Sequence, residues 1–255
     1  MTASTPLSLR WGLSSDVGQV RQVNQDSAMA NGRLFVVADG MGGHQGGEVA
    51  SDIAAGHFRL MESVVSVEEL ATGVVVANEM IRARASVDPN LTGMGTTLVA
   101  LALTADVDGA VQLAAANVGD SRMYRLTNGS LDQVTEDHSL VGELVRAGQL
   151  TPDEAREHPQ RNVVTRALGV DDSVNVDSWE FPGHLGERYL LCSDGLIDEV
   201  VDADIAAAMQ SIDQPADVAR ALVDMANRAG GRDNVTVLIV DVVEAAECAP
   251  DETPS

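Results

Sequence analysis

From residue 34 the chain reads Leu-Phe-Val-Val-Ala, an unbroken apolar run that stops at Asp39-Gly40. So short a run, closed by a turn pair, predicts a buried strand. Residues 48–61 then carry helical spacing, with Val49, Ile53, Phe58 and Leu60 as the expected buried face. A second helix is predicted over 67–87, where Leu70, Val74, Ala77 and Ile81 share one side. Strand character returns over 95–103 and 110–118, joined by Asp106-Val107-Asp108-Gly109, and again over 122–126 and 130–134, which flank Asn128-Gly129. Asn-Gly between two such runs is a strong hairpin signal, so the pairing should be antiparallel. The stretch 139–161 is polar and carries Pro152 and Pro159, an excursion from the sheet. Strands follow over 174–181 and 188–193, the latter ending in Asp194-Gly195, and helices over 202–212 and 216–229. Pro215 and Gly230-Gly231 punctuate the last helix in the expected sense. A final strand is predicted over 234–243. The acidic stretch 244–255 is expected to be a disordered tail. No internal repeat is visible. The order predicts an α+β fold with largely antiparallel sheets, in one domain over 1–243.

Composition narrows the function. Of 255 residues, 45% are hydrophobic, enough for a full core, but only 3% are aromatic, so Val, Leu, Ile, Ala and Met must build it. Sixteen basic residues face 39 acidic ones, for a net charge of −23, and every basic residue is Arg. Without Lys there is neither a Schiff-base lysine nor the Lys of a phosphate-binding Walker loop. Such a chain repels a phosphate backbone, so no nucleic-acid partner is expected. Cys192 sits in an apolar run and Cys248 in the acidic stretch, and neither has an Arg six residues on. Neither a disulfide framework nor a phosphocysteine mechanism is expected. Residues 1–13 lack the basic start and apolar run of a signal peptide, and no stretch approaches the ~20 apolar residues of a membrane span. A cytoplasmic monomer is the expectation.

The candidate chemistry is acidic. Asp39, Asp194 and Asp233 each stand at the end of an apolar strand, beside Gly40, Gly195 and Asn234. Asp-Gly is a common turn pair, but aspartates fixed at strand ends also suit hard divalent cations, which take several oxygens and keep waters. One Asp bridging two ions, with others on the flanks, builds a two-metal site economically. The loop Gly40-Met41-Gly42-Gly43-His44-Gln45-Gly46-Gly47 fails the dinucleotide G-x-G-x-x-G pattern at Gln45. Its glycines then serve close approach of backbone to an ion. Arg21 is placed to fork onto phosphate oxygens if it lies near such a cluster.

Seven segments, taken in order, resemble the motifs of the bacterial PPM (protein phosphatase 2C-like) family. They are Ser15-Asp16 through Arg21 to Asn24-Gln25-Asp26; Val37-Ala38-Asp39-Gly40-Met41-Gly42-Gly43; Met94-Gly95-Thr96-Thr97; Asn117-Val118-Gly119-Asp120-Ser121-Arg122; Thr165-Arg166-Ala167-Leu168-Gly169; Leu191-Cys192-Ser193-Asp194-Gly195-Leu196; and Arg232-Asp233-Asn234-Val235-Thr236. The resemblance implies a four-layer αββα sandwich, two antiparallel sheets flanked by helix pairs, with metals between the sheets at one end. It implies Mn²⁺ or Mg²⁺ as cofactor: Asp39 bridging two core ions, the Gly40 carbonyl on one, Asp194 and Asp233 on the other, and Asp120 with Asp194 on a third, weaker ion. It makes Arg21 the phosphate ligand and 139–161 a flap beside the site. The implied activity is serine/threonine protein phosphatase, with ion-activated water attacking phosphorus in line. The implied partners are phosphorylated proteins, targets of bacterial Ser/Thr kinases. Gln25 stands where animal relatives carry Glu, which leaves Gln25 and Asp26 outside the ligand set. Met41 stands where those relatives carry His, which leaves His44 as the candidate proton donor. The alternative is a PPM-like binding module without catalysis. Loss of the core aspartates would signal it, and here Asp39, Asp120, Asp194 and Asp233 are all present.

Overall fold

The computed structural model describes residues 7–42, 46–61, 66–104 and 111–244. His44, Cys248, the turn 106–109 and the stretch 245–255 lie outside them. In chain order the elements are β1 (Leu7–Asp16), β2 (Asp26–Ala30), β3 (Leu34–Met41), α1 (Gly46–Arg59), α2 (Val67–Val87), β4 (Gly95–Thr96), β5 (Leu98–Thr104), β6 (Gln112–Val118), β7 (Arg122–Thr127), β8 (Ser130–Gln133), α3 (Leu140–Arg146), α4 (Pro152–Arg156), β9 (Asp177–Pro182), β10 (Arg188–Cys192), α5 (Asp194–Ile197), α6 (Asp202–Ser211), α7 (Pro215–Ala229) and β11 (Val235–Glu244).

The strands form two sheets, ordered β1-β11-β10-β7-β8 and β2-β3-β5-β6-β9, with β4 attached to β3. Every pairing is antiparallel. Alternation along β3 explains the layering. Phe35 and Val37 face the other sheet, meeting Leu191, Leu238 and Val240 in the central core. Leu34, Val36 and Ala38 face outward onto α1 and α2, packing with Phe58, Leu70, Val74 and Ile81. On the opposite side Leu190, Val237 and Ile239 pack under Ile205, Leu222 and Val223 of α6 and α7. Strands buried on both faces read as continuous apolar runs, which is why these were visible in the sequence. The result is the four-layer αββα sandwich.

The Asn128-Gly129 hairpin is present, with φ of 50° and 82° at its two turn residues. Some expectations need correction. Leu60 lies beyond the end of α1 and is 83% exposed, so the buried face of that helix is Ala50, Ala54, Ala55 and Phe58. Glu244 pairs with Leu7 at the end of β11, so the strand runs one residue past the limit assigned to it. The strands β1 and β2 carry no apolar run and were not anticipated. The excursion 139–161 contains two short helices, α3 and α4, each N-capped by a hydroxyl, Ser139 and Thr151. Among the described residues no helix is long and apolar enough to cross a membrane.

Candidate active site

Antiparallel pairing brings distant segments to one end of the sandwich. Asp39 lies near the end of β3, and Asp120 in the turn from β6 to β7. Asp194 follows β10 as the first residue of α5, Asp233 precedes β11, and Arg21 lies in the connection from β1 to β2. Together with Gln25, Gly40 and Asn234 they line one pocket of about 440 Å³. Of the residues named in advance, Arg21, Asp39, Gly40, Asp120, Asp194 and Asp233 are therefore brought together, and His44 lies outside the described residues.

Local structure fixes each group. The N–H of Asp39 donates to Thr97 Oγ1 at 3.0 Å, and its carbonyl accepts from Thr96 Oγ1 and the Thr97 N–H, both at 2.9 Å. Gly40 must be glycine, because a Cβ there would lie 2.2 Å from the Gly47 carbonyl oxygen and 2.5 Å from that of Gln25. Asn234 ties two loops together: its side chain donates to the carbonyls of Val17 and Val23 and accepts from the Gln25 N–H. Arg21 Nη2 donates to Asp233 Oδ2 at 2.7 Å, a half-exposed pair at the pocket mouth.

The electrostatics are dominated by crowded carboxyls. Desolvation, then repulsion from Asp26, Asp194 and Asp120, holds Asp39 well above the usual carboxylate range. Asp194 is held high by desolvation and then by Asp120, Asp198 and Asp233. Asp120 is raised to about 7, by burial first and Asp137 second. Asp26, which pairs with Asp39 across β2 and β3, is raised to about 6, mainly by burial. Its Oδ2 accepts from Ser193 at 2.7 Å, while its buried Oδ1 has no hydrogen-bond partner among the described residues.

These observations test whether divalent cations fit. Four aspartates line the pocket against one cationic side chain, Arg21. An orphaned carboxylate oxygen and carboxyls that cannot all ionise together are relieved by positive charge. Among the described residues no three Asp, Glu, His or Cys side chains close around a single point. A cation here would complete its shell with water and backbone carbonyl, as hard ions do. With that condition the donor set, all oxygen, fits Mg²⁺ or Mn²⁺ better than a thiolate-seeking metal.

Two polar residues to which the sequence assigns no role, His138 and Thr97, brace the site turns. His138 is 3% exposed: its Nδ1 accepts from the Gly119 N–H at 3.0 Å, and its backbone N–H donates to the Gly119 carbonyl at 2.9 Å. That clamp holds the residue preceding Asp120, and Nε2 lies 3.0 Å from Asp177 Oδ2. Thr97 bonds Ser121 at 2.7 Å as well as Asp39, linking two site turns. The Thr96-Thr97 pair was a visible signal, whereas His138 had none, being one of five His in the chain with no motif around it. Cys192 is buried, its thiol pushed up to about 12 by burial, so it is no nucleophile at neutral pH.

A two-sheet α+β sandwich with an acidic pocket at the seam, suited to divalent cations, is the class these features define. The sequence profile described as protein phosphatase 2C matches residues 18–237. The chain belongs to the protein phosphatase 2C family. It is 42% identical over 246 residues to the serine/threonine protein phosphatase PstP of Mycobacterium tuberculosis, covering 95% of this chain and 46% of that relative, so it spans about half of the relative's length. It is 39% identical over 243 residues to the serine/threonine phosphatase stp of Listeria welshimeri, covering 89% of this chain and 93% of the relative. The crystal structure of the catalytic domain of PstP in complex with two manganese ions superposes with a TM-score of 0.84 at 40% identity, covering 93% of this chain and 99% of that one.

Proposed function

We propose that this chain is a metal-dependent phosphatase that hydrolyses phosphoserine and phosphothreonine in proteins, acting in the cytoplasm as a monomer on targets of bacterial Ser/Thr kinases. The phosphatase domain is taken as 1–243, with 139–161 as its flap. The observation that carries the reading is the convergence of Asp39, Asp120, Asp194 and Asp233 with Arg21 on one pocket. The presence of all four acids there favours catalysis over an inert binding module, and the relatives named as serine/threonine phosphatases support it.

Asp39, the Gly40 carbonyl, Asp194 and Asp233 would hold two Mn²⁺ or Mg²⁺ ions, and Asp120 with Asp194 a weaker third. Bound there, the ions supply the lowered pKa that makes water a nucleophile near neutral pH and positive charge for the phosphoryl oxygens. The chain's own residues do the rest. Thr96 and Thr97 hold Asp39 in place through its backbone. Arg21 spends one nitrogen on Asp233 and is half exposed. Among the described residues its remaining N–H donors have no other partner and are available to orient a phosphate at the mouth. His44 is the proposed donor of a proton to the leaving hydroxyl.

The test is hydrolysis of a phosphothreonine peptide and of p-nitrophenyl phosphate with Mn²⁺, before and after chelation. Asp39→Asn is expected to lower kcat by about 100-fold or more, the scale of losing one key electrostatic group. Turnover that survives chelation, or an Asp39→Asn variant as fast as the parent, refutes the assignment.

A further inference from the structure

A second hollow, of about 380 Å³, lies beside the acidic pocket and shares Asp120, Asn162 and Asp194 with it. Its size is within the ~300–1,000 Å³ of small-ligand clefts. The flap forms one wall with Val141, Val145, Pro152 and Ala155, and Ile197 of α5 faces it from the core. No residue of 139–161 belongs to any of the three apolar clusters of the fold among the described residues. Arginines hold the flap down instead. Arg156 Nη1 donates to the Ile197 carbonyl at 3.0 Å, and its Nη2 lies 3.2 Å from Asp202. Arg146 donates to the Asp137 carbonyl at 2.9 Å, and Arg161 lies 3.7 Å from Asp198.

The arginines around the hollow are paired with acids, while Asp120 and Asp194 line the side it shares with the acidic pocket. Arg122 in its floor is held by Asp137 through both Nε and Nη2, and its Nη1 donates to Tyr124 at 2.8 Å. Arg146 faces Glu136 at 3.5 Å. On the flap side the wall is apolar, formed by Val141, Val145, Pro152 and Ala155, and it is spanned by polar ties rather than filled by side chains.

We propose that this hollow is a subsite for an apolar side chain of the substrate, one that flanks the phosphorylated residue. The proposal rests on the phosphatase reading above and adds a sequence preference to it. The two hollows meet at Asp120, Asn162 and Asp194, so a chain whose phosphoresidue occupies the acidic pocket can run across them into this one. There a Leu- or Met-sized side chain reaches Val145, Ala155 and Ile197, while an acidic one meets Asp120, Asp194 and Asp198. Burial of such a side chain, discounted for an open hollow, corresponds to about tenfold in kcat/KM.

The experiment uses phosphothreonine peptides that carry Leu or Ser in turn at each flanking position, with p-nitrophenyl phosphate as a substrate too small to reach the hollow. The parent protein is expected to prefer Leu about tenfold at one position. Ala155→Trp, which fills the hollow, and Val145→Asn, which makes its wall polar without adding bulk, are both expected to bring that ratio near one. Hydrolysis of p-nitrophenyl phosphate should stay within about twofold. A Leu/Ser ratio near one at every position in the parent, or a preference that survives in both variants, overturns the proposal. Failure of the parent to hydrolyse p-nitrophenyl phosphate with Mn²⁺ would strike the phosphatase reading instead.

Discussion

At the scale of single residues, His138 makes the clearest demand. With Nδ1 accepting from the Gly119 N–H, the neutral ring carries its proton on Nε2, which lies 3.0 Å from both Asp177 Oδ2 and Arg166 Nη1. An Asn at this position places an oxygen near where Nδ1 stood, whereas a Gln reaches toward Asp177 and leaves the Gly119 N–H unpaired. His138→Gln should therefore lose about 1–3 kcal/mol of stability, the penalty of an unsatisfied buried donor, and His138→Asn less. Urea unfolding of both variants decides it; equal losses would mean that ring packing matters and the acceptor does not. Asp39, Asp194 and Asp233 were readable because each stands at the end of an apolar strand beside a turn former, a pattern local to a few residues, whereas Asp120 was implied only by the family resemblance. The partners of these acids were not. Nothing near Arg21 announces Asp233, and nothing near Ser193 announces Asp26, because those contacts are set by folding across most of the chain.

Among the elements, legibility followed burial. The doubly buried strands β3, β5, β6, β10 and β11 and the helix α2 were recognised because period and composition agree. The strand β1 was not. Of its ten residues only Leu9 and Gly12 are buried, and its order comes from pairing with β11, from Leu7 opposite Glu244 to Asp16 opposite Val235. β2 buries only Met29 among small and polar residues. Gly12 shows what β1 is for: a Cβ there would fall 2.1 Å from the backbone nitrogen of Ala216, so the start of α7 lies directly on the strand. Gly12→Ala should cost about 1–3 kcal/mol as that helix is pushed away. Gly56→Ala, in α1 with nothing within 4 Å of the added carbon, should be neutral or stabilising by up to ~1 kcal/mol. Denaturant midpoints compare the two, and similar midpoints would show that α7 gives way freely.

For the whole molecule the governing quantity is crowded negative charge, −23 overall and four aspartates at one end. Asp39, Asp120 and Asp194 have folded pKa values above the ordinary 3.8, with Asp120 at about 7. A raised carboxyl leaves stability untouched below 3.8, where it is protonated in both states. As the pH climbs, the unfolded chain ionises first, and the metal-free fold is progressively destabilised up to about 7. His57 and His138, held below 6.5 by burial, act in the opposite sense below that value. A divalent ion takes the place of the protons, so Mn²⁺ should raise Tm more at about pH 8 than at about pH 5. Thermal unfolding with and without the ion measures this, and a shift independent of pH would mean that the ion binds elsewhere. The pocket's walls come from different slabs of the sandwich: Asp39 from one sheet, Asp194 and Asp233 from the ends of strands in the other, Asp120 from the chain that crosses between them. The gap between these acids is thus a ruler for the sliding of one slab over the other. The spacing of those oxygens is therefore set by how the two sheets seat on each other, and so by the cores that α1 and α7 close from outside.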